Sequence, residues 1–172
     1  KLKSIGVSVP NILFPSKKVD LNKWSVVACD QYTSERSYWE TVEKYVGNNP
    51  STLRIIFPEV YLDDSDSEQR IELINKTMMD YLGSSILEDI GSCFIYVERK
   101  LSSGLTRRGL ILAVDLEHYD YNKDSHSLIR ATEETVVDRI PPRMKIRKEA
   151  AIELPHIMLL IDDPNKTVIE PL

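Results

Sequence analysis

The chain has few of the features that build disulfide frameworks, phosphate loops and membrane spans. It has two cysteines, Cys29 and Cys93, which lie far apart in apolar, strand-like surroundings. This usage is typical of reduced cytosolic thiols and excludes a disulfide framework. Four of the six glycines, at positions 47, 83, 91 and 104, fall at expected helix ends or a turn, so no glycine-rich phosphate cradle is left.

Other absences exclude further classes of site. No G-x-S-x-G segment is present, so we predict no nucleophile elbow of a hydrolase. The three histidines lack metal-ligand spacing, so we predict no metal site. The apolar runs are far shorter than the roughly 20 residues of a membrane-spanning helix. The first residues lack the apolar core of a secretion signal. We therefore expect a cytoplasmic protein without a membrane partner.

The composition is that of a folded protein with a modest acidic excess. Apolar residues make up 42% of the 172 positions, enough for one domain with a real core. The net charge of −5 argues against a nucleic-acid partner. The pattern predicts a single domain over residues 1–172.

The alternation of helical and strand-like segments predicts an α+β fold. Apolar spacing and end signals indicate helices over residues 34–46 and 65–83, with a short third helix over 85–91. Two segments around Ser103-Gly104, residues 93–101 and 105–116, read as a hairpin covered on both faces. We expect a mixed, largely antiparallel sheet with this hairpin at its centre and helices flanking it. Further strands are predicted over residues 24–29, 53–57 and 156–161.

Charge segregation gives the clearest candidate site. Residues 126–148 carry six basic side chains against three acidic ones. Because guanidinium groups match phosphate and carboxylate geometry, this segment can form an anion site. The alternative is a solvated basic face with surface ion pairs. The candidate ligand-binding residues are Arg130, Thr132, Arg139 and Arg143, with Glu133 as the candidate catalytic acid or base.

A second candidate is the loop between the strand predicted at 24–29 and the first predicted helix. Asp30 and Gln31 lie in this loop, and strand-to-helix loops are common ligand sites. Asp30 can equally be an ordinary turn residue. Cys29 beside it reads as a core thiol more readily than as a nucleophile.

Several short sequence motifs resemble those of a bacterial and archaeal family catalogued as domain of unknown function 1015. They include VVACDQYTS at 26–34, PEVYL at 58–62, SLIRATE at 127–133, RIPPR at 139–143 and LPHIM at 154–158, in the expected order. Members of that family are usually longer, and their second half resembles ParB and sulfiredoxin-like proteins, which include a free-serine kinase.

The resemblance implies phosphate or nucleotide chemistry, with ATP or ADP and magnesium as cofactors of the full-length protein. It also implies that this chain is an N-terminal half whose partner is a missing C-terminal domain. The leading hypothesis is a domain of a cytosolic enzyme that acts on a phosphorylated small molecule or nucleotide by kinase-like phosphotransfer. The alternative is a noncatalytic scaffold or regulatory domain that docks onto the missing half; a homodimer is left open.

Overall fold

The computed structural model describes residues 2–132, 137–154 and 156–172, without the side chain of Arg139. Helices and short strand pairs alternate along this part of the chain, which confirms the α+β class. The α-helices are α1 (Leu21–Trp24), α2 (Arg36–Val46), α3 (Ser67–Gly83) and α4 (Ile140–Arg147). Short 3-10 helices cover Leu2–Ile5, Thr52–Arg54, Glu59–Tyr61, Leu116–His118 and Val137–Arg139.

Eight strands form four two-stranded sheets in the described residues. The strands are β1 (Val7–Ser8), β2 (Asn11–Pro15), β3 (Leu87–Ser92), β4 (Ile95–Lys100), β5 (Thr106–Ile111), β6 (Ala113–Val114), β7 (Tyr119–Asp120) and β8 (Ile129–Arg130). The pairs β1–β6 and β4–β5 are antiparallel, whereas β7–β8 is parallel. β2 pairs with β3. The sheet content is therefore mixed and mainly antiparallel, as predicted.

The predicted hairpin forms, but its predicted burial is wrong. β4 and β5 pair in register from Ile95 opposite Ile111 to Lys100 opposite Thr106. Gly104 closes the turn at a φ of 83°, where a side chain is rarely accommodated. Most of β4 is exposed, and no further described strand extends this sheet. An apolar run alone does not distinguish a covered strand from an exposed one, because the segments that would pack over the strand lie elsewhere in the sequence.

Four other predicted elements differ from the structure. The prediction of a third helix is wrong, because residues 87–92 form β3 instead. Ser85 has a φ of 57°, which interrupts helical backbone just before this strand. Residues 24–29 form no strand, since Trp24 ends α1 and the Val26 amide donates to the Thr52 hydroxyl. Residues 53–57 show alternating burial without strand pairing. The described residues of 156–161 are largely exposed and form no strand.

The described chain divides into two compact units. The first unit contains Lys1–Ile12, Asp89–Glu134 and Met158–Leu172, and the second contains Leu13–Glu88 and Thr135–Ile157. No helix among the described residues is long and apolar enough to cross a membrane.

The hydrophobic core lies in the second unit. Trp39 and Val46 from α2 are buried there, and α3 adds a stripe at three- and four-residue spacing. The members of that stripe are Ile71, Ile74, Met78 and Tyr81. The Tyr81 hydroxyl accepts a hydrogen bond from the buried Ser51 amide at 2.9 Å, which satisfies a backbone donor inside the core. α4 packs against this core through Ile146.

Candidate functional site

Titratable side chains from three segments of the second unit meet beside this core. One segment links α1 to α2, another starts the 3-10 helix Glu59–Tyr61, and the third is α4. We call this group the carboxylate–arginine cluster; its members are Cys29, Asp30, Glu59 and Arg143.

Backbone contacts place the first two segments together. The Glu59 amide donates a hydrogen bond to the Cys29 carbonyl oxygen at 2.9 Å. Pro58 precedes Glu59 as the N-cap of the 3-10 helix, and its ring fixes the backbone entering that turn. The Gln31 amide donates to the Ala28 carbonyl at 3.0 Å, which closes a turn around Cys29 and Asp30. The cluster therefore rests on hydrogen-bonded backbone.

Glu59 holds the guanidinium of Arg143. Both Nε and Nη2 of Arg143 donate to Oε1 of Glu59, at 3.2 and 2.5 Å. The Glu59 side chain is only 10% exposed, whereas that of Arg143 is 47% exposed. The hydrogen bond from Arg143 to Glu59, followed by the negative charge of that carboxylate, raises the pKa of Arg143 above its usual value. A fixed, charged and half-exposed guanidinium results.

The surroundings of Cys29 favour its protonated thiol over the thiolate. Burial raises its pKa above the usual range, and the negative charges of Asp30 and Glu59 raise it further. The positive charge of Arg143 acts in the opposite direction. Because the thiolate is the nucleophilic form, Cys29 is a poor nucleophile in this environment.

The charges around Cys29 predict how its alkylation responds to substitution. In a Cys93→Ser background, Asp30→Asn removes a negative charge, so the pH midpoint of Cys29 alkylation by iodoacetamide moves down. Arg143→Ala removes the opposing positive charge, and the midpoint moves up. Lys145→Ala, a paired lysine on the same helix, serves as the control and leaves the midpoint in place. Midpoints that move together in the first two variants would contradict the described cluster.

Of the residues predicted as ligand-binding, the structure brings Arg143 close to Asp30, the chain neighbour of Gln31. Arg143 and Asp30 interact electrostatically. Gln31 is exposed, and its Nε2 donates to Oδ1 of Asp30 at 3.4 Å. Arg130, at the end of β8, and Thr132 are exposed in the first unit. Glu133 and the side chain of Arg139 lie outside the described residues, so the role of Glu133 and the anion site of the four predicted residues stay predictions.

The sequence does not single out Glu59, and it predicts Cys29 to be a core thiol. Glu59 lies 84 positions from Arg143 in the chain. The only feature of the sequence that pointed to Glu59 was its place in the PEVYL motif. The neighbouring basic residues of α4 also have carboxylate partners: Lys145 pairs with Glu68, and Arg147 with Glu153. Such pairs are what a solvated basic face contains.

No group of three or more His, Cys, Asp or Glu side chains is placed to hold a metal ion in the part of the chain that the structure describes.

Comparison with known proteins gives the family. No curated protein and no solved structure matches the chain. The family model described as protein of unknown function (DUF1015) matches residues 13–172, which include every member of the carboxylate–arginine cluster. The match covers well over half of the sequence, and this chain therefore belongs to the DUF1015 family.

Proposed function

We propose that the carboxylate–arginine cluster binds the phosphate of a phosphorylated small molecule or nucleotide. The observation that carries the proposal is the orientation of Arg143 by Glu59. Two of its N–H groups point at one carboxylate oxygen, and a guanidinium has five N–H donors in a planar fork. The remaining donors, on a side chain that is 47% exposed, suit the oxygens of a phosphate.

Asp30 favours a metal-bound phosphate over a bare anion. Its carboxylate is exposed beside Arg143 and would repel an uncompensated phosphate. Magnesium is commonly held by one or two carboxylates together with substrate phosphates. Asp30 therefore fits as a protein ligand for the magnesium expected with ATP or ADP, and the ligand's phosphates complete the coordination.

The binding test uses Arg143→Ala and a matched arginine. Titration of the whole chain with pyrophosphate and with ADP, each with magnesium, gives the dissociation constants by calorimetry. Loss of one charge-assisted contact, worth about 1.5–3 kcal/mol, raises them by roughly 10- to 100-fold in Arg143→Ala. Arg36 is the control, because its side chain is also 47% exposed and pairs with Asp64 at 2.6 Å.

Equal affinities for wild type and Arg143→Ala would contradict the proposal. An equal loss in Arg36→Ala would show that general charge, and not the cluster, attracts the ligand. Arg143→Lys separates charge from geometry, since lysine keeps the charge but lacks the planar fork. It recovers only part of the affinity if both oriented donors and charge contribute.

The cluster also favours the noncatalytic alternative as a second candidate. Glu59 accepts two hydrogen bonds from Arg143, and burial raises the pKa of the Cys29 thiol, so neither side chain is an activated base or nucleophile. A regulatory or scaffold domain needs the ligand bound but not converted. Nucleotide binding with no consumption of ATP or ADP would support that alternative, whereas turnover that is lost in Arg143→Ala would support kinase-like phosphotransfer.

A further inference from the structure

Tyr32 adopts an unusual backbone conformation next to the carboxylate–arginine cluster. Its φ of 53° lies in the left-handed region, which bulky residues rarely occupy. Asp30 and Gln31 immediately precede it in the chain. Residues held in such conformations persist where surrounding contacts fix them, and they concentrate at ligand sites. The contacts and the exposure of the Tyr32 ring therefore bear on whether it can bind a ligand.

An aromatic stack fixes the ring of Tyr32. It lies against the ring of Tyr38 with a centroid distance of 3.9 Å and an interplanar angle of 17°. Tyr38 in turn meets Trp39 edge to face at 5.5 Å, and Trp39 is completely buried. The stack is thus anchored in the core of the second unit, while Tyr32 itself is 43% exposed. The ring of Tyr32 is therefore packed on Tyr38 and partly exposed to solvent.

We infer that the ligand of the cluster is a nucleotide whose base stacks on Tyr32 while its phosphates bind Arg143; this inference rests on the proposed function. Exposed aromatic rings bind bases through their π faces with little dependence on base identity. Tyr32 lies three positions after Cys29 in the chain, so their Cα atoms lie within about 11 Å of each other. The ribose and phosphates of a nucleotide span such a gap. The ligand class is therefore a nucleoside di- or triphosphate.

The test compares ADP with pyrophosphate, which has the phosphates but no base. Both are titrated with magnesium into the whole chain as wild type, Tyr32→Asn and Tyr32→Phe. Asparagine tolerates the left-handed conformation and removes the ring, so ADP binding weakens by roughly tenfold, whereas pyrophosphate binding is unchanged. Phenylalanine keeps the ring and retains ADP affinity. Tyr96→Asn, at a ring of similar exposure (41%) in the first unit, leaves both affinities unchanged.

Each outcome separates this inference from the proposed function. If pyrophosphate and ADP bind wild type equally tightly, or if Tyr32→Asn leaves ADP affinity unchanged, the stacking inference is overturned while phosphate binding stands. If neither ligand binds wild type, the proposed function fails and the inference with it. Melting temperatures report whether each variant folds. Tyr32→Leu, which keeps apolar bulk without a π face, replaces Tyr32→Asn if that variant is unfolded, with the same expected loss for ADP alone.

Discussion

Replacing Trp39 with alanine is expected to lower the free energy of unfolding by about 4 kcal/mol. Trp39 is completely buried in the core of the second unit, so its removal loses the transfer free energy of the indole and leaves a cavity. The same indole supports Tyr38, which carries the stacked ring of Tyr32. The variant should therefore unfold at lower urea concentration, measured by far-UV circular dichroism, and should also bind ADP less tightly.

Trp39→Phe is the matched control for this substitution. The buried indole Nε1 has no hydrogen-bond partner among the described residues. Phenylalanine therefore gives up volume but no hydrogen bond, and it removes a buried donor that costs free energy when unpaired. We expect Trp39→Phe to lower the free energy of unfolding by less than half as much as Trp39→Ala does. Equal destabilisation by phenylalanine and alanine would contradict this account of the core.

Gly6→Ala is expected to destabilise the first unit by about 3 kcal/mol, through backbone strain and overpacking together. Gly6 has a φ of 69°, and a Cβ placed on it would lie 2.8 Å from Cδ1 of Ile129 and 2.9 Å from Cβ of His118. The Gly6 carbonyl also accepts a hydrogen bond from the Asp115 amide at 2.8 Å, which restricts how the backbone can shift. Thermal unfolding of the whole chain measures the loss.

Gly104→Ala isolates the strain contribution in the same unit. Gly104 has a φ of 83°, but a Cβ there meets nothing within 4 Å. The substitution adds strain without a clash, so we expect a loss of about 1 kcal/mol. A loss at Gly6 no larger than that at Gly104 would show that the close approach to Ile129 and His118 is relieved at little cost.

Local sequence determined the elements whose signals lie within a few residues of one another. α2 ends at Val46 before Gly47, and α3 ends at Gly83, because apolar spacing and the end signal agree there. The β4–β5 pairing follows from the turn at Gly104, which brings adjacent segments together. The order of short motifs along the chain likewise predicted the family, and the family model confirms it.

Only the tertiary structure decided which distant segments meet. Residues 85–91 carry helix signals, yet residues 87–92 pair with β2, more than 70 positions away. Strand pairing depends on a partner that local propensity does not report. Alternating burial at Leu53, Ile55 and Phe57 imitates a strand, yet core packing alone produces it. The same reason explains the site: the sequence singled out Arg143 as a basic residue, but folding placed Glu59 against it from 84 positions away. Charge composition shows that a guanidinium is present, and long-range packing determines which of its donors are bonded to a carboxylate.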